Sequence, residues 1–395
     1  MTIGVGRLDA VCAITMGQAP PGDSYNTTGT GYPLIAGAGD FEGVVPAVKK
    51  YTTAAAKLCA RGDIVLGIRA SIGAKVWADG TYCLGRGVAG LRSGPRLHPN
   101  YLWHWLDRNA QALAAKGKGA TFKQVTRDDI GEMPIALPSL DEQRRIAAIL
   151  DQADALRAKR SQSLALLDHL TQTAFLDLFS DPHASTWPVV NVASIASPER
   201  DSIRTGPFGS QLLHSEFVES GIAVLGIDNA VNNEFRWAQR RYITEEKYRA
   251  LARYTVHPGD VLITIMGTCG RCAVVPNDIP TAINTKHLCC ITVDQAKVLP
   301  EFLHASFLWQ PVARAYLRSV TKGAIMDGLN MGLIKNMELV LPPIEVQRSY
   351  LDQRRRIDEV KTVLTTSAES LEANFESLQA LAFTRGSLAS ESVPA

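Results

Sequence analysis

One phrase occurs twice in this chain. LPSLDEQRRI, Leu137 to Ile146, returns as LPPIEVQRSY, Leu341 to Tyr350, with Leu137, Pro138, Gln143 and Arg144 answered 204 positions later by Leu341, Pro342, Gln347 and Arg348. The same offset reaches back from Lys118-Gly119-Ala120 to Lys322-Gly323-Ala324, through Ile130 and Ile334, to Met133 and Met337. It reaches forward to Leu167 and Leu371 and to Phe179 and Phe383. A repeat of half the chain constrains the fold more than any local propensity, because both copies must use one plan of elements.

Within each copy the register drifts. GDIVLGI, Gly62 to Ile68, corresponds to GDVLITI, Gly259 to Ile265, at an offset of 197, and Pro99 and Leu102 correspond to Pro300 and Leu303 at 201. The globular parts have therefore gained and lost residues, while the segment after each has kept its register. Glycine, β-branched residues and turn signals fill Arg7 to Leu137, which predicts short strands joined by tight turns. One stretch, NYLWHWLDRNAQALAA, has apolar residues at three- and four-residue steps and predicts a helix.

After each proline boundary a long helix is expected. Asp141 and Glu142 open the first, where carboxylates favour the helix dipole. Ile146, Leu150, Ala153, Leu156, Leu164, Leu167, Leu170, Ala174 and Leu178 give it a near-heptad apolar stripe; Val346, Tyr350, Ile357, Val360, Leu364, Leu371, Phe375, Leu378 and Ala382 do so for the second. Some 38 residues at about 1.5 Å each make a rod of roughly 57 Å. The simplest cover for such stripes is the other helix, antiparallel if the halves are related by a pseudo-two-fold axis. The competing arrangement lays each helix flat on its own domain. The expected class is α+β: two mixed α/β domains, 1–139 and 181–342, separated by two long antiparallel helices, 140–180 and 343–386, with a tail at 387–395.

Composition agrees with two ordinary cores. The 395 residues are 46% hydrophobic and 20% charged, which suits globular domains rather than disorder. No run of about 18 apolar residues is present, and the opening MTIGVGRLDA has neither the charged nor the apolar block of a signal peptide, so a cytoplasmic protein is expected. Seven cysteines in such a chain predict reduced thiols. CGRC at Cys269 to Cys272 has the spacing of a redox pair or half a zinc site, with Cys289 and Cys290 as further ligands, but its setting reads as strand, glycine turn, strand. Buried small side chains are the expectation there.

A net charge of +2 advertises no nucleic-acid partner. Shape does: two unlike heads held on a helical ruler suit unlike half-sites on one face of a duplex. The proline-bounded LPxxxxQ opening a long helix, preceded by a KGA loop and a GD-strand-G unit and doubled across the chain, resembles the specificity subunit of type I restriction-modification systems. The resemblance covers nearly the whole chain. It implies two target-recognition domains alternating with two helical conserved regions, and no catalysis on this chain. It also implies double-stranded DNA, two methyltransferase subunits and the restriction (translocase and nuclease) subunits as partners, with S-adenosylmethionine and ATP with Mg carried by those partners and no cofactor or metal here.

Residue by residue, Pro138, Glu142, Gln143 and Ile146 match the partner-docking opening of the family's helical region, and Pro342 and Gln347 repeat it. The second copy departs at Val346 and Tyr350. GPFGSQL and GTCGRCAVVP also look like pieces of a recognition domain. Basic and polar residues in glycine-rich loops are the expected DNA contacts, since Arg and Gln can pair with base edges and Lys can neutralise phosphates. In the first domain these are Arg69, Ser71, Lys116, Lys118, Thr121 and Lys123; in the second, Arg204, Ser210, Gln211, Arg271, Lys286 and Lys322. The sequence has no GxxxxGK[ST] and no [DN]PP[YF]. The nearest nuclease-like pattern is Asp228 followed by EEK at Glu245 to Lys247. The rival expectation is a coiled-coil scaffold whose heads bind proteins.

Overall fold

The computed structural model of the chain describes residues 4–119, 123–237, 239–321 and 328–385, with the backbone alone at Thr321, Thr384 and Arg385. Its contacts fall into two compact units, Met1–Gln162 with Thr365–Ala395 as unit 1, and Ser163–Leu364 as unit 2. Each unit holds one globular region and a stretch of each long helix.

The two globular regions share a plan. In unit 1 an antiparallel sheet runs Cys12–Met16, Val88–Ser93, Ile64–Gly67, Lys75–Trp77. In unit 2 the order is Ile203–Thr205, Leu288–Ile291, Val261–Thr264, Cys272–Val274. A second sheet follows in each, built on one parallel pair: Tyr32–Ile35 with Tyr82–Leu84, and Ile222–Leu225 with Ala282–Asn284. A two-stranded ribbon joins the start of each region to its end, Gly4–Arg7 with Pro134–Leu137 and Val189–Asn191 with Glu338–Val340.

The central strands are apolar without alternation because both faces are covered. Ile64 and Leu66 pack toward the helix Pro99–Ala115 with Tyr101, Leu102 and Trp105, while Val65 points the other way into Val76, Leu84 and Val88. Unit 2 repeats this: Val261 and Ile263 meet Phe302 and Leu303, and Leu262 meets Leu225, Ala273 and Cys290. Pro99 and Pro300 open their helices at a position where a missing N–H costs nothing.

The long helices span Leu140–Asp177 and Ile344–Arg385. Within unit 1 Ile146 and Leu150 share a cluster with Phe375, Leu378 and Ala382, and Nε and Nη2 of Arg157 each donate to a Glu372 carboxylate oxygen at 2.7 Å. Within unit 2 Phe175 meets Tyr350 at 5.3 Å between ring centres, and Lys361 pairs with Asp168 at 2.6 Å. In each unit one helix rises in number as the other falls, so they run antiparallel. The competing arrangement is also partly realised: both helices pack on the globular region of their unit, as Tyr101 against Phe383 shows in unit 1 and Phe175 against Phe302 in unit 2. The expected stripe is wider than this seam. Leu156, Leu170 and Val360 stand about half exposed. Among the described residues no helix is long and apolar enough to cross a membrane.

Candidate nucleic-acid interface

The repeated motifs first have to be assigned to what they do locally. In the GD turn, Gly62 and Gly259 take φ of +89° and +80°, a region open to glycine. The carboxylate that follows each closes the turn on a backbone amide three residues back, Asp63 on Ala60 at 2.8 Å and Asp260 on His257 at 2.9 Å. Each then takes an arginine. Asp63 receives Arg92 through two bonds of 2.7 and 2.8 Å; Asp260 receives Arg204 at 2.7 Å and the Thr292 hydroxyl at 2.6 Å. Arg204 is therefore buried and spent on Asp260 and on the carbonyls of Asp201 and Thr255, which corrects its expected place at DNA.

A second correction concerns the helix openings. The Gln143 carboxamide oxygen accepts the His98 N–H at 2.8 Å, and its amide donates to the carbonyls of Arg96 and Pro138 at 3.0 Å each. Gln347 does the same with the Leu299 N–H at 2.9 Å and the carbonyls of Lys297 at 3.0 Å and Pro342 at 2.9 Å. Both amide hydrogens are used, so neither glutamine has a donor left for a partner. These glutamines clamp the long helix to the loop before the domain helix. Ile146 and Pro342 are buried as well. Of the expected docking residues Pro138 is half-buried, and Glu142 is half-buried beside Arg145 at 3.5 Å.

The loop ends of the sheets carry the remaining expectations. Arg69 Nε donates to Gln124 Oε1 at 2.7 Å, and Lys118 exchanges backbone bonds with Gln124 at 3.0 and 2.9 Å, so one short bridge assembles Arg69, Lys118 and Lys123. Lys118, Lys123 and Lys116 are exposed; Thr121 lies outside the described residues. Arg69 and Ser71 also line an open depression of about 260 Å³ with Gly37, Gly39, Ala70 and Arg86. In unit 2, Arg271 and Ser210 are exposed and Lys286 is half-buried. Gln211 is exposed, but its carbonyl oxygen accepts from Phe208 N–H at 3.2 Å and the Tyr254 hydroxyl at 3.0 Å. Lys322 lies outside the described residues.

Sequence reasoning missed Arg86 and the loop Phe235 to Arg241. There Trp237 is exposed, edge-on to Phe235, with Arg240 5.1 Å over its ring. The signal was available as a basic and aromatic run, FRW followed by QRR. Asp228 is held by Arg241 at 3.1 Å and Lys247 by Glu216 at 2.6 Å, so the nuclease-like pattern is divided between two ion pairs. Burial, joined by the charges of Lys286 and Arg241, lowers the His287 imidazole below its ordinary range.

The CGRC segment is the expected hairpin, with φ of +72° at Gly267 and +82° at Gly270. Cys272, Cys289 and Cys290 are buried. Burial pushes the first two thiols up to about 12, opposite to what thiolate chemistry needs. Among the described residues no three His, Cys, Asp or Glu side chains are grouped to hold a metal.

The type I restriction modification DNA specificity domain matches residues 2–166. The type I restriction enzyme EcoBI specificity subunit of Escherichia coli is 23% identical over 380 residues, 89% of this chain and 78% of that protein. The chain is thus similar to type I restriction-modification specificity subunits, by family model over its first part and by sequence over most of its length. A putative specificity subunit, MjaX of Methanocaldococcus jannaschii, is 35% identical over 144 residues, 36% of this chain and 34% of that one. The fold of the specificity subunit from M. genitalium aligns with a TM-score of 0.56 at 15% identity, covering 97% of this chain and 96% of the other. A chain from a structural study of complex assembly and conformational transition in a type I system aligns at 0.61 with 18% identity, covering 96% and 97%.

Proposed function

We propose that this chain is a specificity subunit and selects DNA sequence for a type I restriction-modification complex. Each globular region reads one half of a bipartite, asymmetric target, and the helices fix the half-site spacing and dock two methyltransferase subunits. The observation that carries this reading is one framework built twice with unlike loops. The sheets, the GD turn and the glutamine clamp recur, whereas Arg69, Ser71 and Arg86 border one depression and Phe235, Trp237 and Arg240 cluster in a loop of the other unit. A common frame with different polar tips suits two readers of different sequences. Exposed Ser71, Lys116, Lys118, Lys123, Ser210, Gln211 and Arg271, with half-buried Arg69 and Lys286, are the proposed contacts. Methyl transfer, ATP hydrolysis and cleavage belong to the partner subunits with their S-adenosylmethionine, ATP and Mg.

Mapping adenine methylation in cells that carry a cognate type I methyltransferase subunit, with and without this chain, tests the proposal. A split, asymmetric motif present only with the chain is expected. A stable complex that adds no motif would favour a protein-binding scaffold.

A further inference from the structure

Two turns, one per unit, share their backbone bonds. In unit 1 Gly85 N–H donates to Ile35 O at 2.8 Å, Val88 N–H to Gly85 O at 3.2 Å, and Gly87 O accepts Ile68 N–H at 3.0 Å. In unit 2 Thr285 N–H donates to Leu225 O at 2.9 Å, Leu288 N–H to Thr285 O at 3.1 Å, and His287 O accepts Ile265 N–H at 2.9 Å. A glycine at the end of the neighbouring strand presses on each. A Cβ at Gly17 would lie 2.0 Å from Gly85 O, and one at Gly206 would lie 2.0 Å from Asn284 O. The second residue of each turn is thus set at one place by one scaffold. It is Arg86 in unit 1 and Lys286 in unit 2.

Arg86 is exposed at the rim of the depression it shares with Arg69 and has no acidic partner among the described residues. Lys286 is close enough to His287 to depress its titration, and it makes no ion pair among the described residues. Around these two cations the rims differ. Arg69 corresponds to Met266, Ser71 to Thr268 and Ala70 to Gly267, the last two residues both at positive φ. A contact that positions the DNA backbone can be common to two readers of different sequences, whereas contacts to base edges have to differ.

We infer that Arg86 and Lys286 are matched phosphate anchors: each holds the DNA backbone of its half-site at the same point of its recognition domain, and the unlike rim residues choose the bases. The inference rests on the DNA-reading function proposed above and assigns roles within it. The test uses the complex of this chain with its cognate methyltransferase subunits and a duplex carrying the motif found by methylation mapping. Affinity is measured over a series of salt concentrations. Arg86→Ala and Lys286→Ala should each weaken binding roughly tenfold at ~150 mM salt and flatten the log–log salt slope by about one. Both should leave the methylated motif unchanged, and Arg86→Lys should keep the slope of the unsubstituted complex. Unchanged affinity and slope in the alanine variants would overturn the inference. So would a relaxed base preference in one half-site, which would make the residue a reader. If the unsubstituted complex methylates no split motif, the underlying function falls and the inference with it.

Discussion

The two units solve one problem, closing the GD turn on a buried carboxylate, with arginines from different strands. In unit 1 the arginine comes from the strand after the carboxylate, as Arg92, and its side chain is 60% exposed. In unit 2 it comes from the strand before, as Arg204, with 9% exposed beside an Asp260 at 1%. At the place of Arg92 stands Thr292, which supplies a hydroxyl instead. The fold therefore preserves the need of the carboxylate, not the identity of the residue that meets it. The same pair differs in energetic weight, because a charge pair removed from water cannot lose one member cheaply.

The largest expected effect follows from that contrast. Arg204→Ala strands a buried carboxylate and should destabilise unit 2 by about 3–5 kcal/mol. Arg92→Ala, on a solvated arginine, should cost unit 1 only about 1 kcal/mol. Urea unfolding of the two variants reads the difference, and equal losses would break the comparison.

A second contrast lies on the domain helices. His304 corresponds to Trp103. Trp103 stacks on Trp77 at 4.8 Å, while the His304 Nε2 faces the carbonyls of Asn233 at 2.9 Å and Cys272 at 3.1 Å. Burial, helped by the charge of Arg354, pushes the His304 ring down to about 4. Because its folded value lies below its unfolded one, the unfolded chain takes up the proton first. Its contribution is then complete above about pH 6.5 and declines, by about 1.4 kcal/mol per pH unit, as pH falls toward 4. Stability measured against pH should show this slope, and His304→Gln should remove it without altering the slope from other groups. An unchanged slope in the variant would exclude His304 as its source.

Smaller effects should come from the clamps, which are alike in both units. Gln143→Ala and Gln347→Ala each leave a buried N–H and two carbonyls short of a partner, a loss of about 2 kcal/mol. The two values should agree within about 0.5 kcal/mol if the clamp is one device used twice. A clear inequality in calorimetric unfolding would show that the copies have drifted in function as well as in sequence.

These clamps also show where the sequence was legible and where it was not. The repeat placed the long helices well: the structure begins them at Leu140 and Ile344, where 140 and 343 were expected. The alternation of strands, the hairpin at CGRC and the buried cysteines followed from glycine and β-branched patterning. The polar positions were harder. Gln143 was expected at a partner because the resemblance placed it in a docking motif, and only three-dimensional packing turns its amide onto three backbone groups. Arg204 sits in a three-residue strand, Ile203–Thr205, where no local pattern marks an arginine as internal. Its partner Asp260 is 56 residues away, a distance that no turn or helix rule spans. Arg86 was missed for a related reason: its equivalence to Lys286 lies in backbone bonds, and the flanking residues, Gly85 and Gly87 against Thr285 and His287, do not match.

The last contrast is between the loops proposed to touch DNA and the long helices, and it carries the smallest change in stability with the clearest change in function. Four residues inserted in helical register within Ala158 to Leu166 add about 6 Å to the first helix, roughly two base pairs of duplex. They fall away from the clamps, from the GD turns and from every loop proposed to touch DNA, so unfolding should move by no more than about 1 kcal/mol. If the helices set the half-site separation, methylation mapping of the insertion variant should return both original half-sites with a longer spacer between them. A motif with unaltered spacing would sever the spacing role from the helices. Altered half-sites would mean that the recognition loops are not independent of the helices.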